Sequence, residues 1–389
     1  MTLKNLFLTW PTGKIPDGPF SGKAMHTTTI RAIAHTLPET RVTNEMLAAR
    51  FGEKPMRSIV KMSGIEERRI VSLGQCASDL GLAAAERLLG HLLIERDSID
   101  LLIFCSQTPD FKMPATASVL HGRLGLSERC CTFDINQACA SYVHSMQVAH
   151  SMLVAQTATR ALVINADALS QLVHHKDRSM VPLTGDAGVA TLLESLEPTT
   201  GGFEHFRICN DGSLYEKLYI PAGGCRLPSS PITAEPVTDD AGVTRSQDTV
   251  HMDGPAVFHF AAHKVSGFLR DCLDDWSLNL DDIDLVLLHQ ANRTMVDLIY
   301  KAIGAGDEKQ FTNIKHIGNA ACASLPALLS EAWIEGKIMP GSRTLLCGFG
   351  GGLSWGAMVL RWPDDADASV PGEIITTSAC EISKEFCGS

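Results

Sequence analysis

Three side chains in this sequence could work together on an acyl thioester: Cys139, His289 and Asn319, each set among small residues or beside glycine. A thiol can attack a carbonyl and hold the acyl group. An imidazole and a carboxamide can hydrogen-bond a second carbonyl as it becomes an enolate. The Gly350-Gly351-Gly352 run that follows could bring backbone N–H groups to an oxyanion.

Flanking residues indicate how each would be held. Phe133-Asp134-Ile135 reads as a strand end, and Val143, Met146, Val148 and Met152 mark the apolar face of a following helix. Cys139 therefore falls at or near a helix N-terminus, where the macrodipole predicts a lowered thiol pKa. His289 closes an apolar run, which puts it at the carboxyl end of a buried strand, where α/β sheets bind ligands. Asn319 follows Gly318 and precedes the small residues 320–324, a turn that exposes an amide at a cavity floor. The bland alternatives are a packed core cysteine, a structural histidine and an asparagine that only forms a turn. The glycine run lies between two strands and lacks the GxGxxG-then-helix pattern, which argues against a dinucleotide site.

These residues need a scaffold, and the chain repeats one. Segments 99–104 and 283–288 are apolar strands after acidic turns, each preceded by a helix-like stretch, 79–92 and 257–275. Arg160-Ala161-Leu162-Val163-Ile164 is echoed by Arg343-Thr344-Leu345-Leu346-Cys347, and strands expected at 187–194 and 353–361 follow glycine-containing turns. Short buried strands alternating with helices predict mainly parallel sheets covered by helices, as two stacked pseudo-twofold halves. The first half is expected over 26–221, beginning with a strand at 26–35, and the second over 249–362. A proline-rich surface excursion at 222–248 joins them, with an extended leader at 1–25 and a polar tail at 363–389.

Composition narrows the function classes. The 389 residues, 45% hydrophobic and 20% charged, suit an α/β enzyme. A net charge of −11 with no basic cluster disfavours nucleic acid and anionic membranes. The 12 cysteines include no CxxC and no zinc-ligand spacing, so no metal site is expected. Buried reduced thiols are, Cys105, Cys272 and Cys347 among them. The apolar run near the N-terminus is too short for a signal peptide. No stretch reaches the roughly 18 apolar residues of a membrane span, so a soluble, cytoplasmic protein is expected.

Taken in order, four segments resemble β-ketoacyl-ACP synthase III, a condensing enzyme of the thiolase superfamily. They are Asn136-Gln137-Ala138-Cys139, Leu288-His289-Gln290-Ala291-Asn292, Gly318-Asn319-Ala320-Ala321-Cys322-Ala323-Ser324 and Gly348-Phe349-Gly350-Gly351-Gly352-Leu353-Ser354-Trp355-Gly356. Gly64-Ile65-Glu66-Glu67-Arg68-Arg69-Ile70 and Gly185-Asp186-Ala187-Gly188 match as well, and the likeness runs from about residue 26 to residue 362. The resemblance implies a thiolase-like fold of two βαβαβαββ halves, stacked as an α/β/α/β/α core and assembled as a homodimer. It implies that Cys139 takes an acyl group from acyl-CoA or acyl-ACP. A malonyl thioester on acyl carrier protein would then lose CO2 and condense with that group, with His289 and Asn319 binding the enolate oxygen. The N–H groups of Cys139 and Gly351 would form the oxyanion hole, and no cofactor is required.

Departures from the family pattern bear on the substrate. Ser58 and Met62 stand where the family places a Trp and an Arg that sandwich adenine, and neither can stack on or clamp a purine. Arg178 does match a nucleotide-contacting arginine. An ACP-borne, aryl or medium-chain donor gains weight accordingly. Met113 replaces a Phe that reaches across the dimer to close the acyl pocket, and its flexibility would admit a longer group. Asn292 is expected on the substrate tunnel, while Lys301 and Arg293 align with basic positions that dock the carrier protein. The leading expectation is a condensing enzyme of specialised lipid or secondary metabolism. An acyltransferase without condensation is the alternative that Asn319 argues against, and a non-catalytic partner subunit the one that the complete triad argues against.

Overall fold

The computed structural model of the chain describes residues 27–196 and 201–364; the expected leader, and the tail from residue 365 on, lie outside the described residues. The chain opens with β1 (Thr27–Thr36), then a ribbon of β2 (Thr40–Thr43) and β3 (Glu67–Ile70) whose connection carries α1 (Asn44–Phe51) and α2 (Glu53–Ser63). Next come α3 (Ala77–His91), β4 (Leu101–Cys105), α4 (Thr116–Leu124), β5 (Cys131–Ile135), α5 (Ser141–Val154), β6 (Arg160–Asp167) and β7 (Ala187–Leu196). Every residue of β4 is buried, as a central parallel strand covered on both faces requires. It pairs in parallel with β5 and β6, and β7 runs antiparallel to both β6 and β1, giving the order β1-β7-β6-β4-β5.

β8 (Gly202–Asn210) begins the second sheet. Two-residue pairs follow: β9 (Leu218–Tyr219), β10 (Val237–Thr238), β11 (Thr244–Arg245) and β12 (His251–Met252), with β9 on β12 and β10 on β11. α6 (Gly254–His259) continues through a π-helical turn into α7 (Ser266–Asp275), followed by β13 (Leu285–Leu288), α8 (Arg293–Ile303), α9 (Ile314–Ile317), α10 (Ser324–Ile334), β14 (Arg343–Gly350) and β15 (Ser354–Arg361). The order β8-β15-β14-β13 reproduces β1-β7-β6-β4 with the same parallel and antiparallel senses. The counterpart of β5 is reduced to a single bridge between Val286 and Gln310.

The expected boundary at 221/222 is displaced. β8 already belongs to the second sheet, so the chain crosses between halves after β7. The excursion therefore lies within the second half and joins nothing.

Three apolar clusters give the layering. α3 and α4 cover the outer face of the first sheet, through Leu80, Leu88 and Leu120. α5 and α10 lie between the sheets, where Tyr142, Met146, Leu325 and Leu329 meet Ile103, Val163, Leu287 and Leu346. α7 and α8 cover the far face of the second sheet. The stack is α/β/α/β/α. α10 carries buried residues over nearly its whole length, as a helix walled in by two sheets must.

Candidate active site

Cys139 sits in a one-turn 3-10 helix, Ala138–Ala140, between the end of β5 and the start of α5. Ala138 adopts φ +46°, a left-handed conformation that a residue with a Cβ takes only when its surroundings enforce it. The Gln137 N–H donates to Ser141 Oγ at 2.9 Å, which helps fix the turn. The cysteine is 8% exposed, among Leu169, Val173, Met180, Val250 and Ala321. Burial pushes its pKa up to about 12, Asp167 adds to the rise, and a hydrogen bond from the cysteine's own N–H opposes it. The lowered pKa expected from a helix N-terminus is thus reversed. α5 itself starts two residues later, and desolvation outweighs what the dipole supplies at that remove.

His289 follows β13, and its N–H donates to the Cys347 carbonyl at 2.9 Å. Its ring packs edge-on against Phe349, centroids 5.4 Å apart, and burial pulls its pKa down to about 3, so the imidazole is neutral. Asn319 bonds through its backbone on both sides, N–H to Leu183 O and O to Gly185 N–H, each at 2.9 Å. Its Oδ1 accepts from the Ala321 N–H at 3.0 Å and from Ser324 Oγ at 3.4 Å, which leaves the amide N–H₂ to donate elsewhere. Gly185 is there because any Cβ would fall 2.1 Å from the Ile317 carbonyl.

Strand β14 gathers these groups. Cys347 and Phe349 hold His289, and the next residue, Gly350, lies against the nucleophile: a Cβ there would be 3.1 Å from Cys139 Sγ and 2.8 Å from its Cβ. Ala321, two residues beyond Asn319, packs in the cluster around Cys139. Ser354 Oγ donates to the Gln137 carbonyl at 3.2 Å, tying the glycine turn to the cysteine turn. Gly351 lies one step further on, against Ala138.

The other expected residues sit elsewhere or are otherwise engaged. Ser58 and Met62 are exposed on α2, and the Met62 carbonyl accepts from Thr294 Oγ1 at 2.8 Å. Arg178 donates to the Ala241 carbonyl of the excursion. Asn292 is the N-cap of α8, its Oδ1 accepting from the Met295 N–H at 2.9 Å. Arg293 pairs with Asp297 at 2.6 Å, one helical turn on, and Lys301 is exposed on the same helix. Met113 is 86% exposed on the loop between β4 and α4.

Asp167 escaped the sequence reading. Its fully buried carboxylate accepts from Ser106 Oγ, Gln107 N–H and side chain, Thr108 Oγ1 and the Cys322 N–H, at 2.7–3.2 Å. An acid closing an apolar strand was the available signal. Among the described residues no group of three or more His, Cys, Asp or Glu side chains could hold a metal ion, and no helix is long and apolar enough to cross a membrane.

The duplicated five-layer core is the thiolase fold, shared with solved 3-oxoacyl-(acyl-carrier-protein) synthase III structures. Residues 133–212 match 3-oxoacyl-(acyl-carrier-protein) synthase III, and residues 273–362 match the C-terminal part of that family. A β-ketoacyl-(acyl-carrier-protein) synthase III of Symbiobacterium thermophilum is 34% identical over 333 residues, 86% of this chain and 97% of that protein. A solved 3-oxoacyl-(acyl-carrier-protein) synthase III matches with TM-score 0.84 and 31% identity, covering 86% of this chain and all of the other. One from Burkholderia xenovorans matches with TM-score 0.80 and 32% identity, over 90% and 97%. The chain belongs to the 3-oxoacyl-(acyl-carrier-protein) synthase III family and is a condensing enzyme of the acyltransferase type.

Proposed function

We propose that Cys139 takes an acyl group from acyl-CoA or acyl-ACP and passes it to the carbanion of a malonyl thioester on acyl carrier protein, giving a β-ketoacyl product. In the first step the Cys139 sulfur bonds the acyl carbon, the carbon–sulfur bond of the incoming thioester breaks, and the thiol proton leaves with the departing thiol. In the second, malonyl loses CO2. The enolate carbon attacks the acyl-cysteine, and the expelled sulfur takes up a proton. His289 and Asn319 stabilise the enolate oxygen, and the N–H groups of Cys139 and Gly351 receive the oxyanion of each tetrahedral intermediate.

One observation supports the second step most directly: both proposed donors are preset. His289 is held neutral by burial, and Asn319 has its oxygen occupied, so each has N–H to offer an oxyanion. No metal or organic cofactor takes part in this scheme. The exposed edge strand β5, with Cys131 and Asp134 open, supports a homodimer in which that edge is covered. Ser58, Met62 and Met113 leave the donor's carrier and chain length to experiment, and Lys301 with Arg293 is the proposed docking site for the carrier protein.

Intact-protein mass spectrometry with a panel of acyl-CoA and acyl-ACP donors tests this reading. An acyl adduct is expected on the wild type and not on Cys139→Ala, and malonyl-ACP should release CO2 and clear it. An adduct that transfers to an alcohol or amine without CO2 release would make the protein a plain acyltransferase. Asn319→Ala is expected to keep loading and lose decarboxylation.

A further inference from the structure

A cavity of about 680 Å³ lies beside the apolar cluster around Cys139, between α1, the β3–α3 connection and residues 170–184. Val173 and Val181 belong to both: they pack in the cluster around Cys139 and also line the cavity. None of the side chains proposed for catalysis lines it. The size falls within the range of sites that hold a small organic molecule.

Two chemistries meet in its lining. Val42, Leu47, Ile70, Val71, Val173 and Val181 make most of the surface apolar, and Leu73 stands fully exposed at the rim. The formal charges among the lining residues are both positive, Arg50 and Arg68, with no aspartate or glutamate beside them. Arg50 is exposed at the mouth, where it donates to the His175 carbonyl.

Arg68 is 1% exposed, and every hydrogen bond it makes ends on a neutral oxygen. Nη1 donates to Val42 O at 3.2 Å, both Nη atoms to Asn44 Oδ1 at 3.0 Å, and Nη2 to Pro182 O at 2.5 Å. Nε is buried without a partner. Glu67, its neighbour in sequence, pairs with Arg41. Its Nη hydrogens are all committed to neutral oxygens, which leaves the Nε–H as the free donor of a buried positive group; together with Arg50 at the mouth, that donor suits a carboxylate. Burial lowers the Arg68 pKa to about 10, and the nearby charge of Glu67 only partly opposes it.

We propose that this cavity binds an amphipathic carboxylate of the medium-chain fatty-acid type, its chain among the valines and leucines and its carboxylate on the arginine side. None of the lining residues is Cys139, His289 or Asn319, so the proposal stands whether or not Cys139 is the nucleophile.

Calorimetric titration of the full-length Cys139→Ala protein with decanoate tests it, with decan-1-ol as the chain without charge and acetate as the charge without chain. Saturable decanoate binding is expected, at least tenfold tighter than either control. Leu47→Trp, which fills the cavity, and Arg50→Gln, at an exposed position, should each weaken it tenfold or more. Should Leu47→Trp fail to fold, Arg50→Gln carries the test alone. Absence of decanoate binding, or binding that both variants leave unchanged, as a site in the acyl pocket would give, overturns the proposal.

Discussion

Ala138-Cys139-Ala140 and Ala321-Cys322-Ala323 occupy equivalent places in the two halves. Each is a single 3-10 turn, each opens on an alanine at positive φ, +46° and +49°, and each runs into a central-layer helix that begins with serine. The strands that end beside them, Arg160–Asp167 and Arg343–Gly350, are both 8 residues long. Their last residues make the difference. Asp167 receives the Cys322 N–H at 3.1 Å, and the Cys322 thiol donates to the Cys105 carbonyl at 3.2 Å, fully buried. Gly350 stands at the matching position beside Cys139 and has no side chain to seal it. The turn creates a place for a sulfur; the strand end decides whether a side chain stands against it.

The largest test of that contrast removes the Cys139 sulfur. Cys139→Ala should lower acyl loading and condensation by at least about 10³-fold, as loss of a covalent nucleophile does. Loading from radiolabelled acyl-CoA measures it. Loading that persists in the variant, on Cys322 or elsewhere, would end the assignment of distinct roles.

Closing the gap is the next largest. In Gly350→Ala the new Cβ would lie 2.8 Å from Cys139 Cβ and 3.1 Å from its N and Sγ, so the cysteine must shift by several tenths of an ångström. A misplacement of about 1 Å costs on the order of 10²-fold in rate, so a shift of a few tenths should cost roughly threefold to tenfold. A steady-state comparison should show the fall in kcat with the thermal midpoint nearly unchanged. Full activity would mean that the close approach does not position the thiol.

A pH series separates the two thiols more finely. The Cys139 pKa stands raised, to about 12, so across pH 7–9 the thiolate fraction lies far below saturation. Its alkylation by iodoacetamide should therefore climb about tenfold per pH unit with no plateau. Cys322, raised well above the ordinary range and sealed, should stay unlabelled while the fold holds. Peptide mapping distinguishes both from the exposed Cys131 and Cys225. A plateau near pH 8 for Cys139 would show that the helix dipole prevails over burial after all.

What the sequence disclosed follows the range of the interactions. The apolar run Leu101–Cys105, the small residues around Cys139 and the glycine at 318 act through a few neighbours, and the repeat was readable from them. The thiol's environment was not, because Leu169, Val173, Met180 and Val250 reach it from segments 30 to 111 residues away. Arg178 is engaged by Ala241, 63 residues on, and no local pattern announces that. β8 was assigned to the first half because its pairing with β15 is a contact across some 150 residues, while its own pattern of partly buried positions is that of any edge strand. The cap that Asn292 places on α8 is local by contrast, legible from an Asn before the periodic stretch Arg293–Ile303.

The smallest expected effect concerns the sealed cysteine. Cys322→Ala removes one weak thiol hydrogen bond, to Cys105 O, and keeps the turn, since Ala321 and Ala323 already show that alanine fits there. The backbone N–H of residue 322 still reaches Asp167. Acyl loading should stay within about twofold of wild type, with a modest drop in thermal midpoint from the lost sulfur contacts. The Asn319 carboxamide accepts the N–H of Ala321 in the same turn, so a decarboxylation defect without a loading defect would show that the seal on Cys322 serves the proposed enolate site. A loss of loading comparable to Cys139→Ala would make the two turns functionally coupled and remove the division of labour between the halves.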